Sequence, residues 1–234
     1  MIDTDVFILC GGRGKRLRGI SGPKPKSMML INKRPLLDLL IDCFAKFGFK
    51  RIILGLGYKA NYIKDYYRDN LPKGIEICFS TEAKPLGTGG ALKKAGKLIK
   101  SGNFFVLNGD SLSKFNPLKM LRYHDKKNAQ VTVLLKKMDK ASQYGRVELD
   151  RNRRIVSYDE KIKRSGRCFI NAGVYIFNKK ILDLMPAKKG FSLEYDFFPS
   201  ILGEGVFGFK YSGSFIDIGT PDRYRKAQRS WRVS

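Results

Sequence analysis

Residues 6–17 read VFILCGGRGKRL, an apolar run that turns at once into a glycine-rich, strongly basic loop. The run is typical of a buried β-strand, and the loop after such a strand lies where open α/β sheets bind ligands. Glycines let the backbone approach a ligand closely, and Arg13, Lys15 and Arg16 can engage phosphate oxygens. The stretch therefore predicts a phosphate cradle, although it matches neither the Walker pattern nor GxGxxG.

Working outward, short β-rich runs alternate with amphipathic helices, as expected of a mainly parallel sheet covered on both faces. The predicted elements of the first part, in chain order, are helix 36–47, strand 51–56, helix 58–67, strand 75–79, helix 90–99, strand 104–107, helix 117–126 and strand 131–136. From about Gly145 the pattern changes to short strands with tight connections, which predicts an antiparallel or mixed extension of the sheet. A late hairpin of 207–211 with 215–218 and a helix over 221–229 complete the prediction.

Charge is the unusual feature of the composition, with 46 basic against 21 acidic residues among 234 and a formal net charge of +25. Such a field attracts nucleotides, sugar phosphates, RNA and anionic membranes alike, so it does not choose among these partners. Four scattered cysteines and a single histidine argue against structural zinc and a disulfide framework. No apolar stretch is long enough to span a bilayer, and we expect a cytoplasmic protein without membrane insertion.

Two aspartates follow strand-like runs and suit an oxygen-preferring cation such as Mg²⁺. Asp110 ends the run VLNGD at 106–110, and Asp217 lies in FIDIGTP at 215–221. Either residue alone could merely cap a turn. Together they predict a site that holds Mg²⁺ against a phosphate on which charge develops during phosphoryl transfer.

Further segments, in order, make the chain resemble the sugar-phosphate nucleotidyltransferase family. After the first loop, in which Lys15 replaces the usual threonine or serine, these segments are PKSM at 25–28, PLGTGGA at 85–91, LNGD at 107–110, VSYDEK at 156–161, NAGVY at 171–175, SLEYD at 192–196 and DIGTP at 217–221. The resemblance implies a Rossmann-like α/β fold with a mixed, mostly parallel sheet, flanking helices and a small β-rich extension. It implies one domain over 1–234, with a nucleotide-binding part to about 140 and a sugar-phosphate-binding part from about 141.

The same resemblance implies roles for individual residues. Asp110 and Asp217 would hold Mg²⁺, Arg16 and Lys26 would stabilise pyrophosphate, and Lys161 would position the attacking phosphate. The residues implied in nucleotide binding are Leu9, Gly11, Gly12, Arg13, Gly14, Lys15, Glu82, Pro85, Gly87, Thr88, Asn108 and Gly109. Those implied in binding the sugar phosphate are Tyr144, Gly145, Glu160, Lys161, Asn171, Gly173 and Glu194.

Within the family, the motifs most resemble the branch that joins GTP to D-glycero-D-manno-heptose 1-phosphate. Mannose-1-phosphate guanylyltransferases and enzymes that use UTP, CTP or dTTP remain alternatives, and a homodimer is left open. A sugar-nucleotide sensor without catalysis and an RNA-binding module are the rivals from other classes. The charge and the tyrosines of 58–67 motivate the RNA-binding rival, but no RNA motif accompanies them, and no nucleic-acid partner is expected.

Overall fold

The computed structural model describes residues 2–22, 24–139, 144–160 and 166–231. The strands are β1 (Val6–Leu9), β2 (Leu30–Ile31), β3 (Arg34–Pro35), β4 (Arg51–Leu56), β5 (Glu76–Thr81), β6 (Asn103–Asn108), β7 (Ser111–Ser113), β8 (Val131–Met138), β9 (Gly145–Leu149), β10 (Ile155–Glu160), β11 (Cys168–Asn178), β12 (Val206–Tyr211) and β13 (Phe215–Asp217). The α-helices are α1 (Arg18–Ser21), α2 (Leu36–Ala45), α3 (Ala60–Asp69), α4 (Gly87–Ala95), α5 (Pro117–Lys126) and α6 (Pro221–Ser230). Short 3-10 and π-helical turns cover Lys179–Leu184, Leu193–Phe197 and Phe198–Ile201.

One large sheet organises the chain. Four parallel strands in the order β5-β4-β1-β6 carry the glycine loop after β1. β11 runs antiparallel to β6, β8 runs antiparallel to β11, and β12 runs parallel to β8. The β9–β10 hairpin joins the first half of β11. This mixed, mostly parallel sheet confirms the predicted fold class, and the strand-rich second half confirms the expected extension.

Side chains of β1 are buried on both faces of the sheet. This packing holds β1 in place, and the glycine loop begins where β1 ends. Val6 and Ile8 pack into a core with α2, α3, α5 and α6. Phe7 points into a second core with α4 and the helical turns of 179–201. All three side chains are fully buried. The continuous apolar run of β1 follows from this two-sided burial, as expected for a central parallel strand.

The predicted late hairpin is wrong, because its two strands belong to different sheets. β12 pairs in parallel with β8 in the large sheet, whereas β13 pairs antiparallel with β7 in a separate ribbon. The turn at Ser212 and Gly213 therefore crosses between the two sheets. Lys136 Nζ holds that turn by donating to the carbonyls of Ser212 and Gly213, each at 2.8 Å.

Two polar features of the helices have structural explanations. Tyr66 and Tyr67 donate their hydroxyls to Asp38 at 2.6 and 2.8 Å, so they dock α3 onto α2 rather than form a stacking platform for bases. His124 lies in α5, and its side chain is buried against the Thr132 hydroxyl at 2.8 Å. Burial lowers the pKa of His124 to about 4.

The cysteines are present as free thiols. All four cysteines are free, and Cys10 is buried directly below the glycine loop. Burial raises the pKa of its thiol to about 12. Of the helices in the described ranges, none combines the length and apolar character needed to cross a membrane.

Candidate active site

A cleft of about 790 Å³ opens at the carboxyl ends of the parallel strands. The loop after β1 forms one wall, and the residues that follow β4, β5 and β6 form the others. The cleft brings together eleven of the residues predicted to bind the nucleotide: Leu9, Gly11, Gly12, Arg13, Gly14, Glu82, Pro85, Gly87, Thr88, Asn108 and Gly109. Residues from distant parts of the chain therefore meet at the sheet edge, as the strand order requires.

Glu82 is the carboxylate of the cleft wall after β5, and two glycines make room for it. A Cβ built at Gly11 would lie 2.9 Å from Glu82 Oε1, and one built at Gly57 would lie 2.5 Å from the same oxygen. A larger residue at either position would displace the carboxylate. Burial raises the pKa of Glu82, while the N–H of Leu86, which donates to Oε2 at 3.2 Å, acts in the opposite direction.

Lys26 and Asp110 form an ion pair that lines the same cleft, with Nζ 2.5 Å from Oδ2. Pro25 is extended before Lys26 opens a 3-10 helix, which delivers the lysine to the loop. Gly14 has a positive φ of +56°, and a Cβ there would approach the Lys26 Cβ at 3.2 Å. The ion pair thus joins the glycine loop, the proline-lysine segment and the end of β6.

Asp217 is held by three donors from three different segments. Arg223 Nη1 and the N–H of Gly219 both donate to Oδ1 at 2.8 Å, and the hydroxyl of Tyr144 donates to Oδ2. The Arg223 guanidinium also lies over the Tyr144 ring, 4.6 Å from its centroid. Burial raises the pKa of Tyr144, and the hydrogen bond to Asp217 raises it further, so the phenol stays a donor.

The ribbon of β7 and β13 brings the two aspartates to one place. Asp217 pairs with Ser111, and the N–H of Ile218 donates to the carbonyl of Asp110 at 2.9 Å. A carboxylate offers about four lone-pair sites. Counting only the described residues, the Asp217 carboxylate accepts three hydrogen bonds and the Asp110 carboxylate accepts one, from Lys26, so both keep capacity for a further positive partner.

This donor set fits Mg²⁺. In the described part of the chain, no three or more His, Cys, Asp or Glu side chains are grouped to hold a metal ion. Mg²⁺ is usually held by only one or two carboxylates, together with substrate phosphates and waters. Asp110 and Asp217 supply those two carboxylates, and an ammonium already lies against Asp110.

On the other side of β6, the predicted sugar-binding residues form a second group. The Asn171 amide donates to the hydroxyls of Tyr158 and Tyr175 at 2.6 and 2.7 Å. Gly173 has a φ of +70°, and a Cβ there would lie 2.8 Å from Asn108 Nδ2. This glycine therefore lets the turn in β11 pack on a residue that lines the nucleotide cleft.

Five predicted site residues are not connected to the cleft by any contact of the described residues. Arg16 is exposed in a short 3-10 helix and is not among the cleft-lining residues, so its contact with pyrophosphate stays a prediction. Lys161 lies outside the described residues, as do the side chains of Lys15 and Glu160. Gly145 begins β9 and pairs there with β10.

Sequence reasoning missed the role of Arg223 and the contact of Tyr144 with Asp217. Arg223 lies only six residues after Asp217, in the first turn of α6, which Thr220 caps through its hydroxyl. That spacing is a usable signal, because the helix start fixes where Arg223 points. Tyr144 is separated from Asp217 by 73 positions, and no local sequence pattern indicates the contact.

Comparison with known proteins shows the family. The sequence pattern described as Nucleotidyl transferase matches residues 6–232. The chain belongs to the nucleotidyl transferase family. This nucleotidyltransferase is 40% identical over 226 residues to the D-glycero-alpha-D-manno-heptose 1-phosphate guanylyltransferase of Aneurinibacillus thermoaerophilus, covering 96% of the chain and 97% of that protein. It is 31% identical to the mannose-1-phosphate guanylyltransferase of Mycobacterium tuberculosis, covering 94% of the chain and 62% of that longer protein.

A solved structure agrees over nearly the whole chain. HddC from Yersinia pseudotuberculosis, complexed with GMP-PN, superposes with a TM-score of 0.86 at 36% identity. The match covers 98% of this nucleotidyltransferase and 100% of that chain. The family and fold expected from the sequence motifs are therefore confirmed.

Proposed function

We propose that this nucleotidyltransferase transfers GMP from GTP to D-glycero-α-D-manno-heptose 1-phosphate and releases pyrophosphate, using Mg²⁺. The observation that carries the proposal is one cleft that contains the Glu82 carboxylate together with the Lys26–Asp110 ion pair. A base-reading group and a phosphate-handling group are needed together in such an enzyme. The 40% identity to a heptose 1-phosphate guanylyltransferase supports the choice of substrates.

Glu82 supports guanine over the other bases. A carboxylate only accepts hydrogen bonds, and each of its oxygens has two lone pairs. Guanine presents two adjacent donors, its ring N–H and its amino group, to such an acceptor pair. Uracil and thymine place carbonyl oxygens beside their single N–H, and adenine and cytosine place a ring acceptor beside their amino group. Each of these bases would direct an acceptor at the Glu82 carboxylate, which is unfavourable in a buried site.

The reaction we propose is a single in-line displacement. An oxygen of the sugar phosphate forms a bond to the α-phosphorus while the bond to the bridging oxygen breaks, and pyrophosphate leaves with that electron pair. Asp110 and Asp217 would hold Mg²⁺, which supplies neutralising charge at the α-phosphate when bound. Lys26 stabilises the departing pyrophosphate, and Lys161 orients the attacking phosphate. The nucleophile arrives as an anion, so the protein mainly supplies orientation and electrostatic stabilisation.

A pyrophosphate-release assay tests the proposal. Five nucleotides (GTP, ATP, CTP, UTP and dTTP) are combined with heptose, mannose, glucose and N-acetylglucosamine 1-phosphates in the presence of Mg²⁺. Release should require both substrates and should have the highest kcat/KM with GTP and the heptose phosphate. A preference for mannose 1-phosphate would instead favour the alternative function, that of a mannose-1-phosphate guanylyltransferase. Saturable nucleotide binding without turnover on any pair would identify a sensor instead.

Glu82→Gln tests the base assignment separately. Glutamine has nearly the same shape but directs an amide N–H toward a guanine donor, so kcat/KM for GTP should fall by about tenfold to a hundredfold. The value for UTP should fall less or rise, since glutamine pairs with a ring N–H and a neighbouring carbonyl. Glu204→Gln, in an exposed turn before β12, is the matched control. Equal losses for GTP and UTP in Glu82→Gln would remove Glu82 from base recognition.

A further inference from the structure

The first turn of α4 was expected to bind the nucleotide, but two of its backbone donors already have partners. The N–H groups of Gly89 and Gly90 donate to the carbonyl of Phe191 at 3.0 and 3.3 Å. The N–H of Phe191 returns a hydrogen bond to the carbonyl of Leu86 at 3.0 Å. A Cβ at Gly87 would lie 2.4 Å from the Phe191 carbonyl oxygen. The glycines of this turn therefore allow the segment around Phe191 to pack onto the helix start.

The Thr88 hydroxyl also forms hydrogen bonds with the segment that follows Phe191. It donates to Glu194 Oε2 at 2.7 Å and accepts the N–H of Leu193 at 2.8 Å. A hydroxyl has a single hydrogen to donate. Thr88 lines the nucleotide cleft, yet its hydrogen is committed to a carboxylate of the sugar-binding part.

Glu194 connects Thr88 to the group around Asn171. Its Oε2 also accepts the Ser192 hydroxyl at 2.8 Å, and its Oε1 accepts the Tyr175 hydroxyl at 3.4 Å. The Asn171 amide donates to that same tyrosine oxygen at 2.7 Å. A continuous series of hydrogen bonds thus runs from the wall of the nucleotide cleft to the predicted sugar turn.

We infer that Thr88 is a positioning residue for the sugar 1-phosphate: it fixes the Glu194 carboxylate that binds the sugar. This inference rests on the proposed function, since it assumes a sugar 1-phosphate as second substrate. Two hydroxyls share Oε2, which sets the rotation of the carboxylate. Among the residues that the structure describes, Oε1 has only the long contact to Tyr175. A hydrogen bond to a charged acceptor contributes more than one between neutral groups, so loss of the Thr88 donor weakens this alignment.

Thr88→Val tests the inference, because valine keeps the shape of threonine and removes both hydrogen bonds. With saturating GTP, the KM for the sugar 1-phosphate that the wild type uses best should rise by about tenfold. The KM for GTP should change by less than about twofold. Thr88→Ser retains the hydroxyl and should restore a sugar KM close to that of the wild type.

Three further variants separate positioning from stability. Thr132→Val also deletes a buried threonine hydroxyl, the partner of His124, and should lower the Tm without changing the sugar KM. Ser192→Ala removes the other hydroxyl donor to Glu194 Oε2 and should raise the sugar KM as Thr88→Val does, which gives a test if Thr88→Val fails to fold. In a Glu194→Gln background, Thr88→Val should add much less than it does alone, because coupled residues are not additive.

Two results would overturn the inference. The first is a rise in the GTP KM of Thr88→Val with an unchanged sugar KM, which would make Thr88 a nucleotide ligand. The second is full additivity of Thr88→Val and Glu194→Gln. Neither result affects the proposed function, which depends on wild-type turnover with both substrates.

Discussion

Asp110 and Asp217 lie at the same end of the β7–β13 ribbon, yet the protein holds them in different ways. The Asp217 carboxylate accepts hydrogen bonds from Arg223, Tyr144 and a backbone N–H, and its side chain is only 11% exposed. Within the described residues, the carboxylate of Asp110 has one side-chain partner, Lys26, and its side chain is 40% exposed. The first carboxylate is fixed before any substrate arrives, whereas the second can exchange partners.

This difference has a physical reason in the proposed reaction. A rigid carboxylate defines where a cation sits, because orientation fixed in advance costs no reorganisation during the reaction. The ion pair of Asp110 keeps Lys26 and the carboxylate together without substrate, at a part-buried position that lines the cleft. In the proposed reaction, Lys26 would contact phosphate oxygens of the nucleotide, and Asp110 would help to hold Mg²⁺.

The largest expected effect is loss of turnover in Asp110→Asn. The change removes the negative charge that faces both Lys26 and the cation, so kcat should fall by at least about a thousandfold. Pyrophosphate release and a thermal melt measure activity and fold in the same sample. Asp222→Asn, which breaks only an exposed pair with Arg225 on α6, is the control and should keep full activity. Near-normal turnover in Asp110→Asn would remove this residue from the metal site.

The second-largest expected effect is a difference in the free energy of unfolding between variants of the two aspartates. Asp217→Asn leaves the partly buried Arg223 without its anionic partner and should lower the free energy of unfolding by about 2 kcal/mol. Asp110→Asn should lower that free energy by only about 1 kcal/mol, because the Asp110 side chain is 40% exposed and its loss leaves one donor, Lys26, without its partner. Urea titration of both variants gives the comparison directly. Equal losses of stability would contradict the distinction between a fixed and an exchangeable carboxylate.

The smallest effect is expected for Tyr144→Phe. Phenylalanine keeps the ring under Arg223 and removes one of the three donors to Asp217, so kcat should fall only about threefold to tenfold. The sugar and GTP KM values distinguish this role from the predicted contact of Tyr144 with the sugar. A large rise in the sugar KM at unchanged kcat would assign Tyr144 to substrate binding instead.

The parts of the site that follow directly from strands could be predicted from the sequence. The glycine loop and Asp110 follow buried strands, Asn108 ends β6, and Glu82 follows the edge strand β5. Parallel strands deliver their carboxyl ends to one edge of the sheet. The order of motifs then supplied the pairing of Asp110 with Asp217. Local pattern and family resemblance therefore predicted the cleft and most of its lining.

The long-range contacts could not be predicted in the same way. Thr88 meets Glu194 across 106 positions, and Tyr144 meets Asp217 across 73, and side-chain type alone does not specify either partner. The prediction of a late hairpin was wrong for the same reason, because β12 and β13 pair with distant strands rather than with each other. The burial of His124 could not be predicted either, because its partner, Thr132, lies on the following strand, where a helical pattern carries no information.

The most direct test of the central claim uses Mn²⁺ in place of Mg²⁺. Its binding is measured by electron paramagnetic resonance. GMP is included as the single-phosphate ligand, so that a triphosphate does not itself capture the metal. The wild type should bind Mn²⁺ in the presence of GMP, and Asp110→Asn and Asp217→Asn should each lose that binding while remaining folded. Wild-type Mn²⁺ affinity in either folded variant would contradict the claim that these two carboxylates share one cation.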